Sequence, residues 1–201
     1  MARQILRDSA VISSIVAIVN LAIYMVVDPL LRKDAVAKSR ESTQFDKGTT
    51  RLIGIVFPSS WLLLFLTAVL DQFHLGVVEP HIAFAVAGGS LMAGGFCLRA
   101  VAMRTLGKFF TRTLRMREEQ HVISHGIYRF VRHPGYLGDI LLFGGSAVAT
   151  ANCMTTLIIL AVFIPTFVRR IATEERMLAE TFGNEYMVYK AKSWRLIPFV
   201  F

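Results

Sequence analysis

Pro134-Gly-Tyr-Leu-Gly-Asp-Ile-Leu-Leu-Phe-Gly-Gly-Ser-Ala-Val-Ala-Thr-Ala-Asn-Cys-Met-Thr-Thr-Leu-Ile-Ile-Leu-Ala-Val-Phe-Ile-Pro-Thr-Phe-Val168 decides the fold. It holds two apolar runs, Tyr136–Thr150 and Cys153–Val168, parted only by Ala151-Asn152. Two apolar segments joined by so tight a turn pack as an antiparallel helical hairpin. Working back toward the N-terminus, three further runs follow the same pattern: Ala10 to Leu31, broken by Asn20, then Leu52 to Leu70, then Pro80 to Met103. About 20 apolar residues cross the hydrocarbon core as a helix. The reading is therefore an all-α integral membrane bundle of about five transmembrane helices. The first run is too long for a signal-peptide core and lacks a small-residue cleavage site.

Composition agrees. Of 201 residues, 54% are hydrophobic and 18% charged, against roughly 25% charged in an average soluble domain. Mean hydropathy is +0.53. Too few polar residues remain to build the shell of a soluble globule, and the chain is too apolar for disorder. Cys97 and Cys153 both lie in apolar runs and form neither a disulfide framework nor a zinc ribbon.

The net charge of +8 is a matter of topology. Of the 22 Lys and Arg residues, two precede the first run, six lie in the first loop, seven between Arg104 and Arg132, and six after Val168. The loop Asp71–Glu79 and the hairpin turn have none, and Arg99 sits inside the third run. This alternation places the basic loops and the C-terminus in the cytoplasm. It also accounts for the charge without nucleic acid, which is excluded as a partner; membrane lipids are the expected surroundings. Arg99, near the cytoplasmic end of its run, is expected to snorkel. The pairs Gly89/Ala93 and Ser90/Gly94 are expected to form a close helix contact.

The polar segments that carry chemistry are the loop Gln120-His121-Val122-Ile123-Ser124-His125-Gly126-Ile127-Tyr128-Arg129-Phe130-Val131-Arg132-His133-Pro134-Gly135-Tyr136 and the tail after Val168. Pro134 suits the first turn of a helix and keeps His133 out of it, so a helix is predicted to start at Pro134 with His133 as cap. The free N–H groups of such a start attract anions and other acceptors. In the tail, Arg170 and Glu174 are four apart and share a helix face. Phe182-Gly183 reads as a helix stop, with a short helix resuming around Glu185, Tyr186 and Tyr189. His121 and His125 are also four apart, but no third ligand follows, so no metal is expected.

Three features occur in order: Gly126-Ile-Tyr128 before Arg132-His133-Pro134-Gly135-Tyr136, a hydrophobic hairpin with Glu174-Glu175 after it, and Phe182-Gly183-Asn-Glu185-Tyr186 before Arg195-Leu-Ile-Pro198. This resembles the isoprenylcysteine carboxyl methyltransferase family over about Leu106 to Pro198. The chain reads as a single membrane domain over 1–201, whose three N-terminal spans in 1–105 match the family only in hydropathy. Residues 106–201 would supply a loop, the hairpin and a tail that together form a cytoplasmic cofactor-binding cap. The implied cofactor is S-adenosylmethionine, held by Arg115, Gln120, His121, Val122, Ile123, Tyr128, His133, Pro134, Gly135, Tyr136 and Glu174. Arg170 would face the substrate, so Arg170 and Glu174 are the implied catalytic pair. Gln120 stands where the family usually has His, leaving Gln120 or His121 to replace it, and Phe110 stands for a common Trp.

The implied reaction is O-methylation of a prenylated, isoprenylcysteine-type carboxylate at the membrane–cytoplasm interface. A carboxylate is ionised at neutral pH and needs no general base, and an arginine can orient it through paired hydrogen bonds. Related phospholipid N-methyltransferases and membrane sterol reductases share parts of the architecture, so the signature does not name the substrate. A lipid N-methyltransferase is therefore the first alternative. A membrane NADPH-dependent reductase ranks behind it, because the tail is short for a 2′-phosphate pocket.

Overall fold

A computed structural model describes residues 2–27, 46, 48–110 and 120–200. Six α-helices appear among these: α1 Ala2–Ala22, α2 Thr49–Gln72, α3 His81–Leu106, α4 Pro134–Ala149, α5 Cys153–Phe182 and α6 Asn184–Ala191. A π-helical segment, Ile23–Val27, continues α1. The only β pairing among the described residues is two isolated bridges. Three helical stretches, Thr49–Gln72, His81–Phe109 and Cys153–Phe182, are long and apolar enough to cross a membrane, and Val11–Ala22 is a shorter apolar helix.

The predicted hairpin is present. Asn152 caps α5, its Oδ1 accepting from the Thr155 N–H at 3.0 Å. The Asn152 amide also donates to Asp71 Oδ1 at 2.9 Å and to the Leu75 carbonyl at 2.8 Å. Backbone bonds from Cys153 N to Gly76 O and from Val78 N to Ala151 O, both 2.8 Å, fasten the turn to the loop between α2 and α3.

α4 is the central helix, with 11 of its 16 residues buried. Its main partner is α3, and glycine sets the contact. A Cβ on Gly88 would lie 2.2 Å from Ala149 N, and one on Gly95 would lie 2.6 Å from Leu142 N. A Cβ on Gly145 would meet Met92 N at 2.6 Å, and one on Gly138 would meet Gly95 O at 2.8 Å. On each helix the two glycines are seven apart, two turns, so they share a face and the antiparallel backbones touch. This corrects the expected register. A Cβ on Gly89 or Gly94 would meet nothing within 4 Å, and Ser90, Ala93 and Gly94 are exposed. Small residues do make the helix contact, but through Gly88 and Gly95.

An aromatic core lies where α2, α4 and α5 meet. Phe57, Phe143, Phe163 and Phe167 interleave with ring centroids 4.6–6.3 Å apart. Buried polar groups on the apolar helices find partners in each other, as a medium without water requires. Asn20 donates to Ser146 Oγ at 2.6 Å and accepts from Trp61 Nε1 at 2.9 Å. Ser13 donates to Asp71 at 2.9 Å, and the Thr67 and Thr155 hydroxyls lie 2.8 Å apart. The polar break at Asn20 is thus a tie between α1, α2 and α4.

α5 has 30 residues and is about 45 Å long at 1.5 Å per residue. That exceeds a hydrocarbon core of about 30 Å. Arg170 and Glu174 accordingly stand on the same continuous helix as the apolar run, in its C-terminal half. Gly183, with φ 52°, ends the helix where predicted.

Candidate functional site

α3 ends at Leu106, and Gly107, with φ 51°, turns the chain into one 3-10 turn, Gly107–Phe109. A second such turn, Gly126–Arg129, buries Tyr128. Residues 130–133 then run beside the C-terminal tail. Trp194 N–H donates to Phe130 O at 2.8 Å, Arg132 N–H to Trp194 O at 2.8 Å, and His133 N–H to Arg195 O at 3.2 Å. Pro134 follows as the first helical residue of α4, with His133 as its cap. Its missing N–H is one that a helix start leaves unpaired anyway.

Glu174 and Glu175, consecutive on α5, face different directions because successive helical residues are about 100° apart. Glu175 is 4% exposed. It accepts from Arg132 Nε at 3.0 Å and from Arg195 at 2.8 and 3.3 Å, and Lys190 Nζ lies 3.5 Å away. Arg132 also donates to the carbonyls of Lys190 and Ser193. Glu175 therefore clamps the loop and the tail onto α5.

Glu174 faces a cavity of about 90 Å³ lined by Arg99, Leu106, Phe109, Phe110, Gln120, Tyr128, Arg132, His133, Gly135, Tyr136, Met177 and Leu178 besides itself. The Tyr136 hydroxyl donates to Glu174 Oε2 at 2.6 Å, and Arg170 Nε donates to that hydroxyl at 3.2 Å. Tyr136 also stacks on His133, with centroids 5.7 Å apart. Burial, reinforced by the Glu174 charge, pushes the Tyr128 phenol well above its ordinary value, so it stays a neutral donor.

Arg170 is 1% exposed. Its Nη1 donates to Asp46 Oδ1 at 2.9 Å, Thr49 Oγ1 at 2.8 Å and Thr50 Oγ1 at 2.9 Å. Asp46 also accepts from the Thr50 N–H at 3.0 Å, at the start of α2. Burial raises the Asp46 carboxyl, but hydrogen bonds from Thr49 and Thr50 and the Arg170 charge outweigh it and hold it below the usual range. Arg170 and Glu174 are thus not a simple exposed ion pair: the Tyr136 hydroxyl lies between them.

Arg99 does not snorkel. It is 7% exposed and its Nη1 pairs with Asp139 Oδ2 at 2.6 Å.

Of the residues singled out in the sequence, the structure gathers Gln120, Tyr128, His133, Gly135, Tyr136 and Glu174 around one cavity. Pro134 is buried behind it. Arg170 is joined to it through Tyr136. His121 is exposed, its ring edge-on to Phe109 at 5.3 Å. Val122 and Ile123 are half-buried outside that lining, with the Val122 N–H 3.4 Å from Glu185 Oε1. Arg115 lies outside the described residues. Among those described, no group of His, Cys, Asp and Glu could hold a metal ion.

Asp46, Asp139 and the Arg132–Glu175–Arg195 clamp escaped the sequence reading. For Asp139 a signal existed: one acid in an apolar run and one arginine in another call for each other. Asp46, in a loop rich in basic residues, carried none.

The model of the phospholipid methyltransferase family matches residues 83–185. A probable protein-S-isoprenylcysteine O-methyltransferase of Oryza sativa subsp. indica is 38% identical over 108 residues, 53% of this chain and 56% of that protein. Protein-S-isoprenylcysteine O-methyltransferase B of Arabidopsis thaliana is 28% identical over 155 residues, 74% of this chain and 79% of the relative. The Saccharomyces cerevisiae protein-S-isoprenylcysteine O-methyltransferase is 35% identical over 117 residues, 57% of this chain and 49% of its own. The chain spans about half the length of most of these curated relatives. A solved eukaryotic intramembrane Ras methyltransferase, an isoprenylcysteine carboxyl methyltransferase, superposes with a TM-score of 0.59 at 25% identity, covering 75% of this chain and 53% of the other. The chain belongs to the phospholipid methyltransferase family.

Proposed function

We propose that this member of the phospholipid methyltransferase family moves a methyl group from S-adenosylmethionine to a lipophilic acceptor, an isoprenylcysteine-type carboxylate, at the membrane–cytoplasm interface. The observation that carries the reading is Glu174, a carboxylate fixed by the Tyr136 hydroxyl at a cavity walled by the start of α4. The donor set suits the cofactor. Glu174 can pair with its ammonium, and the rings of Phe109, Phe110, Tyr128 and Tyr136 can face its sulfonium. The open N–H groups of Gly135 and Tyr136 can meet its oxygens. In this reading Gln120, His121, Val122 and Ile123 would contact the cofactor from the loop before α4. Bound there, S-adenosylmethionine supplies a methyl carbon on sulfur, so that an O–CH₃ bond forms as the S–CH₃ bond breaks and the electron pair stays with sulfur.

The protein then has to orient the acceptor and exclude water. Arg170 is the residue proposed to orient it. An acceptor carboxylate would exchange with Asp46 on the guanidinium, one carboxylate for another. Residues 1–105 would supply spans, and 106–201 the cap and hairpin, in a five-span bundle with its cap in the cytoplasm. The relatives' names support the carboxylate acceptor. The Asp46–Arg170 pair, together with the family's own description, favours a second reading, N-methylation of a phospholipid amine. Asp46 neutralises Arg170, and a cationic headgroup would then face Glu174.

A labelled-methyl transfer assay separates these acceptors. Purified protein in detergent is given an S-farnesylated thiol acid or phosphatidylethanolamine. Base-labile label on the farnesylated acid is the expected result. Label confined to phosphatidylethanolamine would transfer the assignment to the amine. No label on either, with no calorimetric binding of S-adenosylmethionine at millimolar concentration, would remove the methyltransferase reading.

A further inference from the structure

The segment after Gly183 lies beyond the last apolar run, yet it keeps an apolar surface. α6 turns polar atoms inward: the Tyr189 hydroxyl donates to Tyr128 O at 2.8 Å, and Lys190 Nζ lies 3.5 Å from Glu175. Met187, Val188 and Ala191 are left outside. Further on, Phe199 is 87% exposed and Val200 76%. Trp194, itself exposed, packs on Phe199 with ring centroids 5.3 Å apart. The Trp194 N–H bonds to Phe130 O, which brings Phe130, 57% exposed, beside the tail. An apolar surface of this kind, outside the spans, marks a contact site.

Its depth follows from α5, which is long and apolar enough to cross a membrane. About 20 residues fill the hydrocarbon core, so a helix that enters at Cys153 leaves it near Ala172. Glu175 stands about one turn further, and Arg195 donates to it at 2.8 Å. The Arg195 carbonyl accepts from His133 N–H at the start of α4. Trp194 and Arg195 are therefore held at headgroup depth, where aromatic side chains gather in membrane proteins.

The charges fit that depth as well. Arg129 is exposed, its guanidinium carbon 5.8 Å from the Phe130 ring centroid, and Lys192 is exposed at the other end. From Asn184 to Val200 the one acid is Glu185, against Lys190, Lys192 and Arg195. Lipid phosphates complement such cations, whose stems can stay among the acyl chains while the heads reach outward.

We propose that Phe130 and residues 194–200 form an interfacial anchor whose occupant is the lipid surface of the leaflet nearest the cavity. The Trp194 and Phe199 rings lie at the boundary of acyl chains and headgroups, and Arg129 and Lys192 reach phosphates. The proposal rests on α5 crossing the membrane and is independent of which acceptor is methylated. Arg195 of the Glu175 clamp belongs to the anchor, so docking also sets the height of the α4 start and of the cavity beside it.

Trp194 fluorescence tests this in the full chain reconstituted in phosphatidylcholine nanodiscs. Its signal is the difference between the protein and Trp194→Phe, since Trp61 is the other tryptophan. Should Trp194→Phe not fold, Trp61→Phe isolates the same signal. Lipids brominated near the glycerol end of the chains quench indoles at that depth, and iodide quenches those in water. The brominated lipid is expected to quench Trp194 several-fold more than iodide does. In Phe199→Gln/Val200→Gln, where both side chains are exposed and outside the cavity, the balance is expected to move toward iodide. Dominant iodide quenching in the unmutated protein overturns the proposal, because the surface then faces water. Quenching by neither also overturns it, because a second copy or another protein segment then covers the surface. An unchanged balance in the double variant overturns it too, since the apolar tail would then not hold Trp194 at the boundary.

Discussion

Replacing Glu174 with Gln removes the charge from the cavity but keeps an acceptor for the Tyr136 hydroxyl. The fold should survive, and affinity for S-adenosylmethionine should fall roughly 10–100-fold, the loss of one charge-assisted contact. Calorimetry beside a thermal melt in detergent checks both halves. Glu175→Gln should do the opposite. It removes the carboxylate charge opposite the buried Arg132, which keeps only its neutral acceptors, and loosens the tail, and breaking a buried pair costs roughly 3–5 kcal/mol. Lys190 and Arg195 are 37% and 29% exposed on their side chains, so solvent screens their share and the low end of that range applies. The variant should melt earlier and expose residues 184–200 to protease. Arg170→Ala should raise KM for the acceptor and leave cofactor affinity near its original value, as steady-state kinetics with each substrate varied would show. The sequence order of Arg170, Glu174 and the His133–Tyr136 segment was enough to propose a shared site. It could not show that Tyr136 joins the two α5 residues, or that Asp46 occupies Arg170. Those contacts span 34 and 124 residues of chain, and they arise only once α2, α4 and α5 are packed.

At the scale of elements, the α3–α4 contact turns on which glycines lack room for a Cβ. Gly88→Ala and Gly95→Ala would drive a methyl group into backbone atoms 2.2 and 2.6 Å away, where no side-chain rotation relieves the overlap. Each should lower stability by at least the roughly 1–3 kcal/mol of an overpacked core. Gly89→Ala and Gly94→Ala, with nothing within 4 Å, should be neutral or slightly stabilising through helix propensity. Melting temperatures of the four variants in one detergent test the register, and equal effects across the four would contradict it. The helices themselves were legible. Apolar length, the Pro134 start, the Asn152 turn and the Gly183 stop all lie in local sequence. The contact face was not, because Gly88, Gly89, Gly94 and Gly95 are alike in composition. Only the seven-residue spacing shared with Gly138 and Gly145 distinguishes the pair that touches.

For the whole molecule, the proposed five-span bundle requires α4 to cross the membrane. Its 16 residues give about 24 Å of helix, short of a hydrocarbon core of about 30 Å. Its contacts nevertheless place its two ends at opposite ends of α3. A Cβ on Gly135 would lie 3.9 Å from the Ala102 side chain, near the end of α3, whereas Ala149 meets Gly88 near its start. The turn beyond α4 is hydrogen-bonded to Gly76 and Val78, in the loop that precedes α3. A helix fastened in this way reaches from the cavity side to the side of the 71–80 loop. Its shortness is tolerable because neighbouring helices, rather than lipid, surround most of it. Gln72 and Lys192 are both exposed and would then be separated by three crossings, α3, α4 and α5, so they should lie on opposite faces. Single cysteines at Gln72 and Lys192, in a protein whose Cys97 and Cys153 are replaced by Ala, can be probed with an impermeant maleimide on intact cells. Gln72→Cys should react directly, and Lys192→Cys only after permeabilisation, because the basic segments are retained on the cytoplasmic side. Labelling from one side at both positions would mean that α4 turns back within the membrane, and the reverse pattern would invert the orientation inferred from the basic loops.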